Sequence, residues 1–93
     1  MEFQIKEDKN NLILLKENQE IGYLIYKTDE EGDYIIQSII IEENYRGKGY
    51  AKDLFNKFIE KASKENKKII PICSYAKKQF EKNKSLEKIL KIK

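Results

Sequence analysis

The chain has 93 residues, 19 basic against 16 acidic, no histidine and one cysteine; this is one domain's worth of chain, without room for separate cofactor and substrate domains. A hydrophobic share of 40% excludes global disorder even with 38% charged residues, and the lone Cys73 excludes an intramolecular disulfide and points to a reducing cytoplasm. No apolar run approaches the roughly 18 residues that cross a bilayer, and the net charge of +3 comes from lysines spread among acids, which argues against a nucleic-acid-binding block while suiting a polyanionic cofactor.

Phe3 and Ile5 alternate with Glu2, Gln4 and Lys6, the period of a strand with one buried face, and predict a first edge strand. Asp8-Lys9-Asn10-Asn11 supplies turn residues, and Leu12-Ile13-Leu14-Leu15 follows before Glu17-Asn18-Gln19-Glu20 breaks the pattern, so the chain opens on a hairpin. Residues 21–26, β-branched and aromatic, predict a third strand closed by Asp29-Glu30-Glu31-Gly32-Asp33. Residues 34–41 are apolar on both alternating sides, Tyr34, Ile36 and Ile40 on one and Ile35, Ile39 and Ile41 on the other. That pattern predicts a central strand covered on both faces.

From Tyr50 the period changes. Tyr50, Ala51, Leu54, Phe55, Phe58, Ile59 and Ala62 mark one face of a helix that ends at Asn66-Lys67-Lys68. Residues 69–73 read as a fifth strand, in which Pro71 cannot donate a ladder hydrogen bond and so implies an edge or an interrupted pairing. Ser74 is placed to cap a short helix carrying Tyr75, Ala76 and Phe80, and Ser85 to cap a last turn with Leu86, Ile89 and Leu90. The predicted order is β-β-β-β-α-β-α: a single α+β domain over 1–93, α/β-like, with a mostly antiparallel mixed sheet and helices packed on it.

Between the central strand and the strongest helix lies Glu42-Glu43-Asn44-Tyr45-Arg46-Gly47-Lys48-Gly49. A helix's first turn has N–H groups without internal partners and about half a positive charge, which a diphosphate answers on both counts. Gly47 and Gly49 let the backbone approach phosphates and take positive φ; Arg46 and Lys48 add charge-assisted contacts, and Ala51 keeps the helix close to its strand. A Gly-x-Gly before a helix also serves as a plain structural turn, and its position at this junction favours the ligand loop.

Arg46-Gly47-Lys48-Gly49-Tyr50-Ala51 resembles the Arg/Gln-x-x-Gly-x-Gly/Ala signature of the GNAT acetyltransferase superfamily, and the element order is similar to that family's second half. The length, with Ile70-Pro71-Ile72-Cys73-Ser74-Tyr75 and Phe80-Glu81-Lys82, resembles the very short single-domain branch. The resemblance implies acetyl-CoA as cosubstrate, bound through Arg46, Gly47, Lys48, Gly49, Tyr50 and Ala51, with the backbone of Ile39, Ile40 and Ile41 along its pantetheine arm. It implies no metal, and an amine acceptor met at a pocket that is open or completed by a partner.

Acetyl transfer needs a base for the amine, polarisation of the thioester oxygen and an acid for the departing thiolate. The branch carries a His on the strand before the loop where this chain has Ser38, and larger relatives carry a Tyr where it has Phe80. Cys73, between a strand and a helix N-terminus, is the catalytic candidate, able to take the acetyl group transiently; the same position also suits a small buried hydrophobe. Tyr75 or Cys73 could serve as acid, and Glu42 and Glu43 could hold a water as base or simply be solvated. The leading reading is a cytoplasmic N-acetyltransferase-like protein, monomer or homodimer. The alternatives are a CoA-binding module or sensor with little turnover, and, third, an RNA binder stacking bases on Tyr23, Tyr26 or Tyr34.

Overall fold

Glu17 and Asn18 both take left-handed backbone, with φ of 53° and 67°, and join Lys16 to its partner Gln19 in a two-residue turn. Such a turn matches the right-handed twist of paired strands, so the second hairpin is fixed locally. The structure, a computed structural model, describes residues 3–91; the alternation read at Met1 and Glu2 lies outside them. The strands are β1 (Phe3–Asp8), β2 (Asn11–Lys16), β3 (Gln19–Thr28), β4 (Tyr34–Ile41) and β5 (Ile69–Pro71), and the helices are α1 (Tyr50–Lys64) and α2 (Ser74–Lys82). Short 3-10 turns occupy Glu43–Tyr45 and Lys84–Ile89.

One sheet runs in the order β1-β2-β3-β4-β5, antiparallel as far as β4 and parallel between β4 and β5. The parallel step requires a crossover, which α1 provides. Element order, mixed sheet and packed helices are as the sequence predicts.

The core is one-sided. Leu12, Leu14, Leu24, Tyr26, Tyr34, Ile36 and Ile41 of the sheet meet Leu54, Phe55 and Phe58 of α1 and Ala76 and Phe80 of α2 in a single cluster. The Phe55 ring stands edge-on to both Tyr75 and Phe80, which ties the two helices to each other on that side. The expectation that the central strand is covered on both faces is therefore corrected. By strand alternation the other face carries Ile13, Tyr23, Ile25, Ile35 and Ile40, and among the described residues neither helix lies on it.

A bulge causes a second correction. Ile25 lies opposite Ser38 and Tyr26 opposite Ile36, which leaves Gln37 as an extra residue in β4. An extra residue reverses side-chain parity beyond it. Ile39 and Ile41 thus join Tyr34 and Ile36 on the core face, while Ile40, expected with them, turns outward and is 47% exposed. Gly22 lets the end of β4 settle, since a Cβ there would lie 2.7 Å from Ile41 Cδ1 and 3.3 Å from the Ile40 carbonyl oxygen.

Pro71 pairs opposite Ile36 at the sheet edge. Immediately after it the N–H groups of Ile72 and Cys73 both donate to the Ile36 carbonyl, at 3.0 and 3.2 Å, and the parallel pairing ends. The caps differ from expectation. Cys73, extended at φ −62° and ψ 135°, is the N-cap of α2, and Ser74 is already the first helical residue. The reason is that the Cys73 carbonyl accepts the Lys77 N–H at 3.0 Å, the first helical bond. Likewise Asn83, not Ser85, caps the last turn, because its Oδ1 reaches both the N–H and the hydroxyl of Ser85, at 3.3 and 2.7 Å.

The segment after the last 3-10 turn is latched to the β3–β4 turn through Lys91. The Lys91 ammonium donates to Asp29 at 2.7 Å, to Asp33 at 2.9 Å and to Glu31. Lys91, aided by the N–H groups of Asp33 and Glu31, holds the Asp29 carboxyl down to about 2. With an unfolded value of about 3.9, this carboxylate stabilises the fold above that pH and loses its contribution as pH falls toward 2. Lys91→Met is expected to raise the midpoint of acid unfolding followed by circular dichroism; an unchanged midpoint would show that the latch carries no weight.

Candidate functional site

β4 ends at Ile41, and Glu42 closes against β3 by donating its N–H to the Ile21 carbonyl at 2.8 Å. After the turn Glu43–Tyr45, Arg46 Nε donates back to the Ile41 carbonyl at 3.0 Å and draws the loop into a ring. Gly47 and Gly49 take φ of 76° and 86°. Gly49 is the N-cap of α1 and offers no side-chain cap; the first helical bond is from the Asp53 N–H to the Gly49 carbonyl at 3.1 Å. The N–H groups of Tyr50, Ala51 and Lys52 precede that bond and are the donors a helix start leaves without internal partners.

A cavity of about 260 Å³ opens at this point, bounded by Ile41, Arg46, Gly47, Gly49, Tyr50 and Ala51 together with Tyr45, Lys52 and Tyr75. Ile41 and five of the six residues from Arg46 to Ala51 expected to bind the cofactor thus meet in one place. Lys48 does not line the cavity and is exposed on the loop.

Beyond Ile36, β4 has no strand partner on its β5 side among the described residues, because β5 pairs only with residues 34–36. The stretch from Gln37 to Ile41 is therefore an open strand edge leading into the glycine loop. Cys73 sits half-buried where the two strands part; it packs against the core cluster and does not line the cavity. Burial pushes the Tyr75 phenol up, and the neighbouring Asp53 and Cys73 push the same way, so the phenol keeps its proton at neutral pH.

Phe80 is a core residue, edge-on to Phe55 at 5.8 Å between ring centroids. Ser38 lies half-buried on the helix-free face opposite Ile25, and Glu42 and Glu43 are exposed. Tyr26 and Tyr34 are buried, at 5% and 8% exposure, so they cannot stack on RNA bases as exposed tyrosines would. They were made core by β3–β4 pairing beneath α1, which places both rings against Phe58.

Sequence reasoning missed Lys16. From the end of β2 its ammonium lies 3.4 Å from the Tyr50 hydroxyl and 6.0 Å from the ring centroids of both Tyr45 and Tyr50. The Tyr50 hydroxyl is the main cause that raises the Lys16 pKa. No local pattern marks this lysine; only the long-range closure of α1 onto β2 brings it there.

The GCN5-related N-acetyl-transferase family profile matches residues 2–89. The chain belongs to that family. A GCN5-like N-acetyltransferase candidate from Staphylococcus aureus superposes with a TM-score of 0.78 at 26% identity, covering 97% of this chain and 89% of that one. A ribosomal-protein-alanine N-acetyltransferase from Brucella melitensis biovar Abortus 2308 shares the fold at TM-score 0.62 and 21% identity, with 89% of this chain and 62% of that one covered. An aminoglycoside acetyltransferase from an uncultured soil metagenomic sample shares it at TM-score 0.54 and 12% identity, covering 94% and 63%. This GCN5-related chain thus spans less than two thirds of the latter two. Comparison with curated proteins by sequence finds no match. Among the described residues no helix is long and apolar enough to cross a membrane.

Proposed function

We propose that the chain is a single-domain, cytoplasmic acetyltransferase that binds acetyl-CoA through Ile41, Arg46, Gly47, Lys48, Gly49, Tyr50 and Ala51 and passes the acetyl group to an amine. The observation that carries this reading is the uncapped N-terminus of α1 at Gly49, reached by a two-glycine loop directly from an open strand edge. A diphosphate matches the free donors and the helix dipole. The backbone of Ile39, Ile40 and Ile41 offers groups to the amide-bearing arm in the manner of an added strand. Calorimetric titration with acetyl-CoA tests the reading: saturable one-site binding, weakened by ADP, is expected, and absence of binding would overturn it.

In the transfer, the amine nitrogen forms a bond to the thioester carbon, the carbon–sulfur bond breaks, the nitrogen loses a proton and the sulfur gains one. Tyr75, holding its proton beside the cavity, is the acid in this reading. Cys73, where β4 and β5 part, is the candidate that would carry the acetyl group if transfer proceeds in two steps. Cys73→Ala is expected to abolish transfer on that route, read by release of free CoA thiol; an unchanged rate would remove the acyl-cysteine and leave direct attack.

A second reading, a CoA-binding module without turnover, is motivated by the lack of any histidine in the chain and by Phe80, which has no proton to give, and it ranks behind the acetyltransferase. Tight acetyl-CoA binding with no thiol release across a broad panel of amines would establish it. Amine-stimulated release would dismiss it.

A further inference from the structure

The face of the sheet turned away from the helices is apolar at its centre. Lys6, Ile13, Tyr23 and Ile40 form one row across four strands, and Asp8, Asn11, Ile25 and Ser38 form the next. Ile40 on β4 and Ile72 just past β5, 47% and 55% exposed, are large hydrophobics left open to solvent. Ile13 is covered by its neighbours at 5% exposure while Tyr23, Ile25 and Ile35 are half-buried around it, and an apolar surface of this kind marks an interaction site.

The charges on this face have an order of their own. β3 is the middle strand, and along it the residues on the open face read Glu20, Tyr23, Ile25, Lys27, an acid and a base at opposite ends of an apolar pair. On the edge strand β1 the sequence is Lys6 then Asp8, one in each of the two central rows. None of these four charges takes part in an ion pair among the described residues.

We infer that this face pairs with the same face of a second copy about a two-fold axis running across the strands, between the Tyr23 and Ile25 rows. That rotation lays each strand over its own copy in the reverse direction. Glu20 then faces Lys27 of the second copy, and Lys6 faces Asp8 of the second copy, each pair occurring twice by symmetry. An isologous interface demands this self-complementarity. Two sheets packed face to face stand about 10 Å apart with a modest twist between them, a gap that lysine and glutamate side chains bridge from either side.

Five strands about 4.8 Å apart, over four rows of side chains, present roughly 600 Å² per copy. Stable complexes bury about 800 Å² per partner, so the pairing is a concentration-dependent dimer rather than an obligate one. The inference is independent of acetyl-CoA binding, and its test uses no ligand.

Sedimentation of the full chain over a range of concentrations is expected to show a monomer–dimer equilibrium. Lys27→Glu sets like charges against each other twice and should raise the dissociation constant about tenfold or more, tenfold being the equivalent of 1.4 kcal/mol. Adding Glu20→Lys to that variant restores opposite charges and should recover dimerisation. The exchange Lys6→Asp with Asp8→Lys provides a second swap on a different strand and should leave the dimer intact, whereas Lys6→Asp alone weakens it. A chain that stays monomeric at about 1 mM, where even millimolar affinities show, would overturn the inference. So would a dimer that ignores Lys27→Glu, or a double swap that recovers nothing.

Discussion

Gly49→Glu is expected to weaken acetyl-CoA binding at least about 100-fold, a difference of near 3 kcal/mol, while the chain stays folded. Gly49 holds φ of 86°, and a Cβ there would meet nothing within 4 Å, so the added side chain has room. The left-handed backbone costs a non-glycine residue about 1–2 kcal/mol, which a domain of this size survives. The larger effect is electrostatic: a carboxylate at the N-cap takes up the helix-terminal donors and repels the diphosphate. Gly49→Ala separates the two causes, since it carries the strain without the charge and should lose stability but little affinity. Gly49→Asn, a residue that tolerates left-handed backbone, should stay near the parent in stability. Calorimetry of the Glu variant that returned the parent's affinity would sink the assignment of this loop to the cofactor.

The second large effect is on stability. Phe58→Ala should cost about 3–5 kcal/mol, much of the 5–15 kcal/mol that holds a typical domain folded. Phe58 is fully buried, with its centroid 4.7 Å from that of Tyr26 and 5.3 Å from that of Tyr34. The two tyrosines stand edge-on to each other at 5.1 Å, and the three rings join β3, β4 and α1. Burial first, and then the Glu65 carboxylate that accepts its hydrogen bond, pushes the Tyr34 phenol up to about 12. Removing Phe58 leaves a cavity beneath both rings. In a chain of this length, at about 4–8 °C per kcal/mol, the melting temperature should fall by 12 °C or more. A loss under 1 kcal/mol in urea unfolding would mean that the aromatic trio is not a structural centre.

What was legible in the sequence was whatever depends on near neighbours. The β2–β3 turn, the face of α1 that carries Leu54 and Phe58, and the stop at Pro71 all follow from local conformational preference. The glycine loop was legible for the same reason, since ring closure by Arg46 and the left-handed cap at Gly49 lie within a few residues of each other. The parity of β4 was not, because a run of isoleucines looks alike in either register and only the pairing with β3 reveals Gln37 as extra. Nor was the bare face: Ile35 and Ile40 read as buried because nothing in a strand's own sequence states whether a helix will come to cover it. Tyr75 reaches the cavity and Lys16 reaches the hydroxyl of its lining residue Tyr50 from elements far along the chain, and both placements are a property of the closed fold.

The extra residue in β4 also bears on which lengths this chain can take. Loops can gain or lose residues with small cost, but position 37 works as a hinge pin between two halves of one strand. Its deletion would straighten β4 and keep Ile39 and Ile41 inward, because the pairs Ile25–Ser38 and Tyr26–Ile36 would then follow in regular alternation. One further residue inserted between Ser38 and Ile41 would turn the far half over, with Ile39 and Ile41 toward solvent and Ile40 inward. With that insertion the glycine loop would leave the sheet from the wrong side, and α1 would begin where the core is not. Insertions in descendants of this sequence should therefore spare residues 38–41 and fall in the turn at 29–33 or beyond α2, while loss of residue 37 alone should be tolerated.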